Sequence, residues 1–114
     1  MKNLIERIMD YSLKNPYGFT INIETFRPVR IGFSVAFLET QNSFEKHNLE
    51  KVINHALKNE KTIGGWLNIK NGLFYFDSVK VFKKSEINQA IEFARINKQI
   101  AIFDLTNLEE IKIK

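Results

Sequence analysis

The segment Leu73-Phe74-Tyr75-Phe76-Asp77-Ser78-Val79-Lys80-Val81-Phe82 constrains this chain more than any other. It reads as a strand whose alternation puts Phe74 and Phe76 on one side and Tyr75, Asp77, Val79 and Val81 on the other. A strand apolar on both sides must be covered twice, either by helix and sheet within one chain or by a second subunit. In a chain of 114 residues both options are open. Just upstream, Thr62-Ile63-Gly64-Gly65-Trp66-Leu67-Asn68-Ile69 reads as a partner strand containing a glycine pair, and Asn71-Gly72 supplies the positive φ angles of a tight hairpin between the two.

The remaining elements follow from periodicity. Leu4, Ile5, Ile8, Met9 and Leu13 have helical spacing over residues 3–14, and Asn15-Pro16-Tyr17-Gly18 stops that helix. Phe19, Ile21 and Ile23 alternate with polar residues as a strand. After a break at Arg27-Pro28, Ile31, Phe33, Val35 and Phe37 occupy one face of a strand, with Arg30, Gly32, Ser34 and Ala36 on the other. Those small residues either let a helix lie close or leave that face open. Glu39–Ser43 reads as a loop. Leu49, Val52, Ile53, Ala56 and Leu57 form a second helix, with Asn48 as N-cap and Asn59 near its end. Ser85 caps a third helix carrying Ile87, Ala90, Ile91 and Ala94, and Asn97 suits its left-handed exit. Gln99–Leu105 and Glu109–Ile113 make a last strand pair around Thr106-Asn107.

The expected order is α-β-β-α-β-β-α-β-β in a single domain over residues 1–114. Its short connections favour an α+β fold, a mainly antiparallel sheet with helices on one face. There is a faint internal repeat, in which Leu49–Asn59 aligns onto Ile87–Asn97 at a constant offset. Two generic amphipathic helices, each followed by a strand, would give the same match.

Composition narrows the function classes. Hydrophobic residues at 44% rule out disorder, and the absence of cysteine excludes disulfides, thiol catalysis and cysteine-ligated zinc. No apolar run approaches the roughly 20 residues that span a bilayer, and Glu6 comes too early for a signal peptide, so a cytoplasmic protein without a membrane partner is expected. The net charge of +4 comes from scattered lysines with little arginine, which reads as a solvated surface before it reads as a phosphate-binding patch. It also disfavours an acidic mimic of DNA. No Gly-x-Ser-x-Gly elbow or phosphate-cradling glycine motif occurs. The two histidines, His47 and His55, make a poor zinc site and are expected on the surface or flanking a helix. No metal, cofactor or catalytic residue is assigned.

Two carboxylates sit where strands disfavour them. Asp77 lies mid-strand among aromatics, and Asp104 lies in Ile100-Ala101-Ile102-Phe103-Asp104-Leu105. They either converge for acid–base work or are held by turn amides and solvent. Trp66 and Tyr75, on the two strands of the hairpin, form a stacking surface if one hairpin face is exposed.

The residues Gly64-Gly65-Trp66, then Phe74-Tyr75-Phe76-Asp77-Ser78, then Ala90, Ala94-Arg95 and Asn97-Lys98-Gln99-Ile100-Ala101-Ile102-Phe103-Asp104 together carry a family likeness. The segment resembles a group of short proteins of bacteriophages, plasmids and other mobile elements with the pattern GGW…YYLDxS…EAxxxAxxxxQxAIxD. It departs in having Phe76 where leucine is usual and in the lysine-rich join at Lys83-Lys84. The resemblance implies a small accessory protein that binds host or phage machinery, inhibition of a host defence system being one form of this. It carries over no site residue.

The leading expectation is a non-enzymatic module that binds a protein partner or its own copy through Glu39, Thr40, Gln41, Trp66, Tyr75 and Asp77. One alternative is nucleic-acid binding, with Lys80, Lys83, Lys84 and Arg95 on phosphates and Trp66 or Tyr75 stacking. The other is a small enzyme using Asp77 or Asp104.

Overall fold

The computed structural model describes residues 1–113. Helix α1 (Lys2–Lys14) leads into β1 (Phe19–Asn22), β2 (Arg27–Pro28) and β3 (Phe33–Ala36). A 3-10 turn at Leu38–Thr40 and the short β4 (Ser43–Phe44) precede α2 (Glu45–Lys58). Strands β5 (Thr62–Asn68) and β6 (Leu73–Phe82) follow, then a 3-10 turn at Lys84–Glu86, α3 (Ile87–Ile96), β7 (Ala101–Asp104) and β8 (Glu109–Lys112). Every pairing is antiparallel, in the order β2-β1-β5-β6-β3-β7-β8 with β4 beside β6. The fold is α+β. The expected order is extended by two strands of two residues each, where a break at Arg27-Pro28 and a loop at Glu39–Ser43 were anticipated.

The long strand β6 organises the sheet. Its first half pairs with β5 on one edge and β4 on the other, and its last four residues pair with β3. One face carries the helices. Under α1 and α2 lie Ile21, Ile63, Phe74 and Phe76, packed on Ile8, Leu49, Val52, Ile53 and Ala56. Under α3 lie Phe33, Val35, Phe82 and Ile102, packed on Ala90 and Ala94. The β3 residues that face α3 are therefore the large ones, and Ser34 and Ala36 point away from the helices. Strand β3 also starts later than the pattern suggests. Gly32 adopts φ +104, and Ile31 is exposed rather than in the apolar row.

The repeat is structural, and it has three copies. Each helix ends at an asparagine whose side-chain Nδ2 donates to the carbonyl four residues back: Asn15 to Tyr11 at 2.9 Å, Asn59 to His55 at 2.8 Å and Asn97 to Phe93 at 3.0 Å. Each helix is followed by a hairpin, β1–β2, β5–β6 or β7–β8, closed by a four-residue turn. The residue before each turn, Asn22, Asn68 or Asp104, accepts the amide two positions on through Oδ1 at 2.8–3.0 Å. The fourth turn residue has positive φ in each: Phe26 at 58°, Gly72 at 73° and Leu108 at 56°.

Local capping departs from expectation in the same places. At Asn71-Gly72 only the glycine takes a positive φ, because the turn is longer than a two-residue hairpin. Lys98, not Asn97, is the left-handed residue after α3, since the Asn97 side chain is occupied by Phe93 and by the amide of Leu38. Asn48 reaches back from inside α2 to the amide of Phe44, the residue that precedes the helix. The entry to α3 is held by Glu86, which accepts the amide of Lys83, rather than by Ser85.

Candidate functional site

The face opposite the helices is concave. The sheet curls so that β1 with the Pro28–Arg30 segment flanks one side and β7–β8 the other, leaving a groove of about 940 Å³. Its floor is built from short side chains: Thr20 on β1, Ser34 and Ala36 on β3, and Gly64 on β5, with Val79 and Asp77 on β6. Exposed Tyr17, Trp66, Phe103 and Leu108 rim it. The small residues of the second expected strand, β3, thus leave an open face, and the second apolar side of β6 is covered partly by this curl.

The glycine pair serves both sides of the sheet. Gly65 points to the helices, where a Cβ would lie 2.6 Å from the Phe19 ring and 3.1 Å from that of Phe74. Packing therefore requires glycine there. Gly64, paired with Asp77, points into the groove, and a Cβ on it would meet only ordinary contacts at 3.5–3.8 Å. Its absence is not needed for packing, and it leaves the neighbourhood of Asp77 open.

Asp77 is half-buried on this floor. Among the described residues, neither a hydrogen bond nor an ion pair reaches its carboxylate. Among the side-chain polar atoms of the described residues only Ser43 Oγ is both fully buried and without a partner, so the Asp77 oxygens remain accessible from the groove. Burial pushes the carboxyl up from 3.8 to about 6.

Asp104 does not join it. Paired with Phe33, it faces the helix side of the sheet, so the two carboxylates lie on opposite faces. Asp104 holds the β7–β8 turn, taking the amides of Thr106 and Asn107 on Oδ1 and the Asn107 side chain on Oδ2. The Asn107 side-chain bond is the chief reason its carboxyl lies below the ordinary value. That stabilisation is present at neutral pH and lost as pH falls through the lowered value. Asn22 and Asn68 hold their turns through Oδ1 alone, so Asp104→Asn, which keeps Oδ1 but cannot accept from the Asn107 side chain, should lower the melting temperature less than Asp104→Ala does. Equal losses in the two variants would contradict a turn-holding role.

A second polar cluster lies on the helix side. His55 on α2 contacts Ser78 Oγ through Nδ1 at 2.8 Å and Glu39 Oε2 through Nε2 at 3.1 Å, with Phe37 edge-on at 4.8 Å. With Glu39 ionised, Nε2–H donates to it and Nδ1 accepts the Ser78 hydroxyl. The order serine–histidine–carboxylate is that of a hydrolytic relay, but Ser78 is 0% exposed, so no substrate carbonyl can approach its oxygen. The cluster ties α2 and the 3-10 turn to β6. The sequence places His55 beside the apolar stripe of α2 with room for partial burial, as found, but names none of its partners. The signal it held was the repeat, which places His55 where Phe93 packs against the same Phe37 at 5.1 Å.

The other expected site residues disperse. Trp66 and Asp77 line the groove, and Tyr75 stacks on Trp66 at 5.5 Å and accepts a hydrogen bond from Asn71. Glu39 is engaged with His55. Thr40 is buried and accepts the amide of Ser78, while Gln41 is exposed. Lys80 lies on the helix face over Phe82 and Phe93, at 5.2 and 5.4 Å from their centroids. Lys83 and Lys84 follow the far end of β6, roughly 25 Å along the strand from Tyr75, and Arg95 is on α3. Lysines and stacking aromatics are not brought together. Among the described residues, no group of three or more His, Asp or Glu is placed to hold a metal ion, and no helix is long and apolar enough to cross a membrane. No protein-family model, curated protein or solved structure matches this chain.

Proposed function

We propose that this chain is a non-enzymatic binding module that engages a protein partner on the concave face of its sheet. The observation that carries this reading is the groove itself: a floor of small side chains with four exposed apolar residues at its rim, left uncovered by the chain's own helices. Aromatic rims around a recess are the usual anchoring features of protein interfaces. The nucleic-acid reading draws no comparable support, because Lys80 lies on the helix face, Lys83 and Lys84 follow the far end of β6, and Trp66 and Tyr75 lie on the other face. The mobile-element character, with inhibition of a host defence system as one form of it, rests on the residue pattern from Gly64 to Asp104 alone.

A tagged chain incubated with lysate of its source organism tests the assignment of the face. A partner held by the wild type should be lost with Gly64→Leu, which fills the groove, and with Phe103→Arg at its rim. The same partner should be kept by the double variant Lys83→Gln/Lys84→Gln. Circular dichroism checks that each variant is folded. A partner kept by both groove variants and lost with the lysine pair would overturn the assignment.

A further inference from the structure

We infer that the groove receives a lysine or arginine side chain of the partner protein, with the Asp77 carboxylate as the counter-charge on the floor. This rests on the reading of the concave face as the binding surface and adds its chemical specificity. Three observations lead to it. Among the described residues none pairs with the carboxylate, although Arg30 lines the same groove. The floor around it is short, so an incoming group needs length to reach it, and lysine and arginine supply a charged head on a long apolar stem. The side chains that would flank such a stem are apolar, with Val79 and Trp66 beside Asp77 on the same face of the sheet. An uncompensated carboxylate among such walls is disfavoured until a cation arrives, so pairing is stronger there than at an open surface. The exposed rim of Tyr17, Trp66, Phe103 and Leu108 offers more contact than a small free amine would use, which favours a protein as the source.

The other ionisable groups lining the groove are Tyr11, Tyr17, Arg30 and Glu110, and no histidine is among them. With Asp77 titrating at about 6, the ionised fraction falls roughly tenfold between pH 7 and pH 5, and affinity for a cation should fall with it.

The test uses blocked tripeptides centred on lysine, arginine or norleucine, and free butylammonium. Trp66 is the only tryptophan and lines the groove, so its fluorescence reports binding, and the amide resonances of Gly64 and Gly65 locate it. The lysine and arginine peptides should bind at least tenfold more tightly than the norleucine peptide at pH 7. That preference should disappear in Asp77→Asn and weaken about tenfold at pH 5, while Glu50→Gln, exposed on α2 and outside the groove, should leave it in place. Equal binding of lysine and norleucine peptides, or a preference that survives Asp77→Asn, would overturn the cation assignment and leave the groove standing. Butylammonium binding as tightly as the lysine peptide would overturn the protein source. No shift at Gly64 or Gly65 with any probe would overturn the cation assignment and remove the peptide-level support for the concave-face reading, which the lysate experiment decides independently.

Discussion

Asp77→Asn should stabilise the folded chain at pH 7 by about 2–3 kcal/mol, the opposite sign to most substitutions. The reason lies in proton linkage. Burial raises the Asp77 carboxyl from 3.8 to about 6, so the folded chain holds that proton more tightly than the unfolded chain does. Its contribution is fully favourable below the ordinary carboxylate value, is lost as pH rises through about 6, and stays lost above. Asparagine has nearly the same shape and no charge to desolvate. Thermal melts at neutral pH should therefore show the variant higher by roughly 10 °C, with the gap closing as pH is lowered towards 4. Comparing the two proteins at each pH cancels the other carboxylates, Asp104 among them, whose lowered value works in the other direction. A variant that melts at or below the wild type at neutral pH would refute an uncompensated charge on the groove floor. A residue that weakens the fold and sits in a recess reached by solvent fits a binding role better than a structural one.

How much of this was legible in the chain depends on the range of the contacts involved. Helix and strand periods are local, so all three helices, the β5–β6 hairpin and the single face that the helices cover could be read directly. The groove could not. Its floor joins Thr20, Ser34, Gly64 and Asp77, and only the registers Thr20↔Gly64, Gly64↔Asp77 and Ala36↔Val79 bring those strands together. Parity along each strand was visible, but the pairing Phe33↔Asp104, which sends Asp104 to the helix side, was not. The His55–Ser78–Glu39 cluster draws on three elements for the same reason. The repeated turn was half legible. Asn22, Asn68 and Asp104 are ordinary turn signals, whereas the left-handed Phe26 and Leu108 carry none of the glycine that would announce them.

Gly32 and Gly72 both hold a positive φ, but the fold depends on them unequally. Gly72→Asn should cost less than about 1 kcal/mol. The space around a Cβ there is empty, and Phe26 and Leu108 hold the same φ in equivalent turns with full side chains. Gly32→Ala should cost about 3–5 kcal/mol, the largest loss expected of any single methyl group added here. At φ +104 an L-residue is strained by roughly 1–3 kcal/mol, and the new Cβ would overlap the carbonyl oxygen of Phe82. That oxygen cannot swing away, because Phe82 is paired with Phe33 in the sheet. The consequence extends beyond stability. The Gly32 carbonyl accepts the amide of Leu105 at 2.8 Å, and its amide donates to Thr106 Oγ1 at 3.1 Å. These two bonds join the entry of β3 to the end of β7 and so fix the wall of the groove that carries Phe103. Urea titrations should separate the two variants clearly, and any Gly32→Ala protein still folded should bind more weakly on the concave face. Coincident unfolding midpoints for Gly32→Ala and Gly72→Asn would show that this junction yields, and the groove wall would then be a movable one.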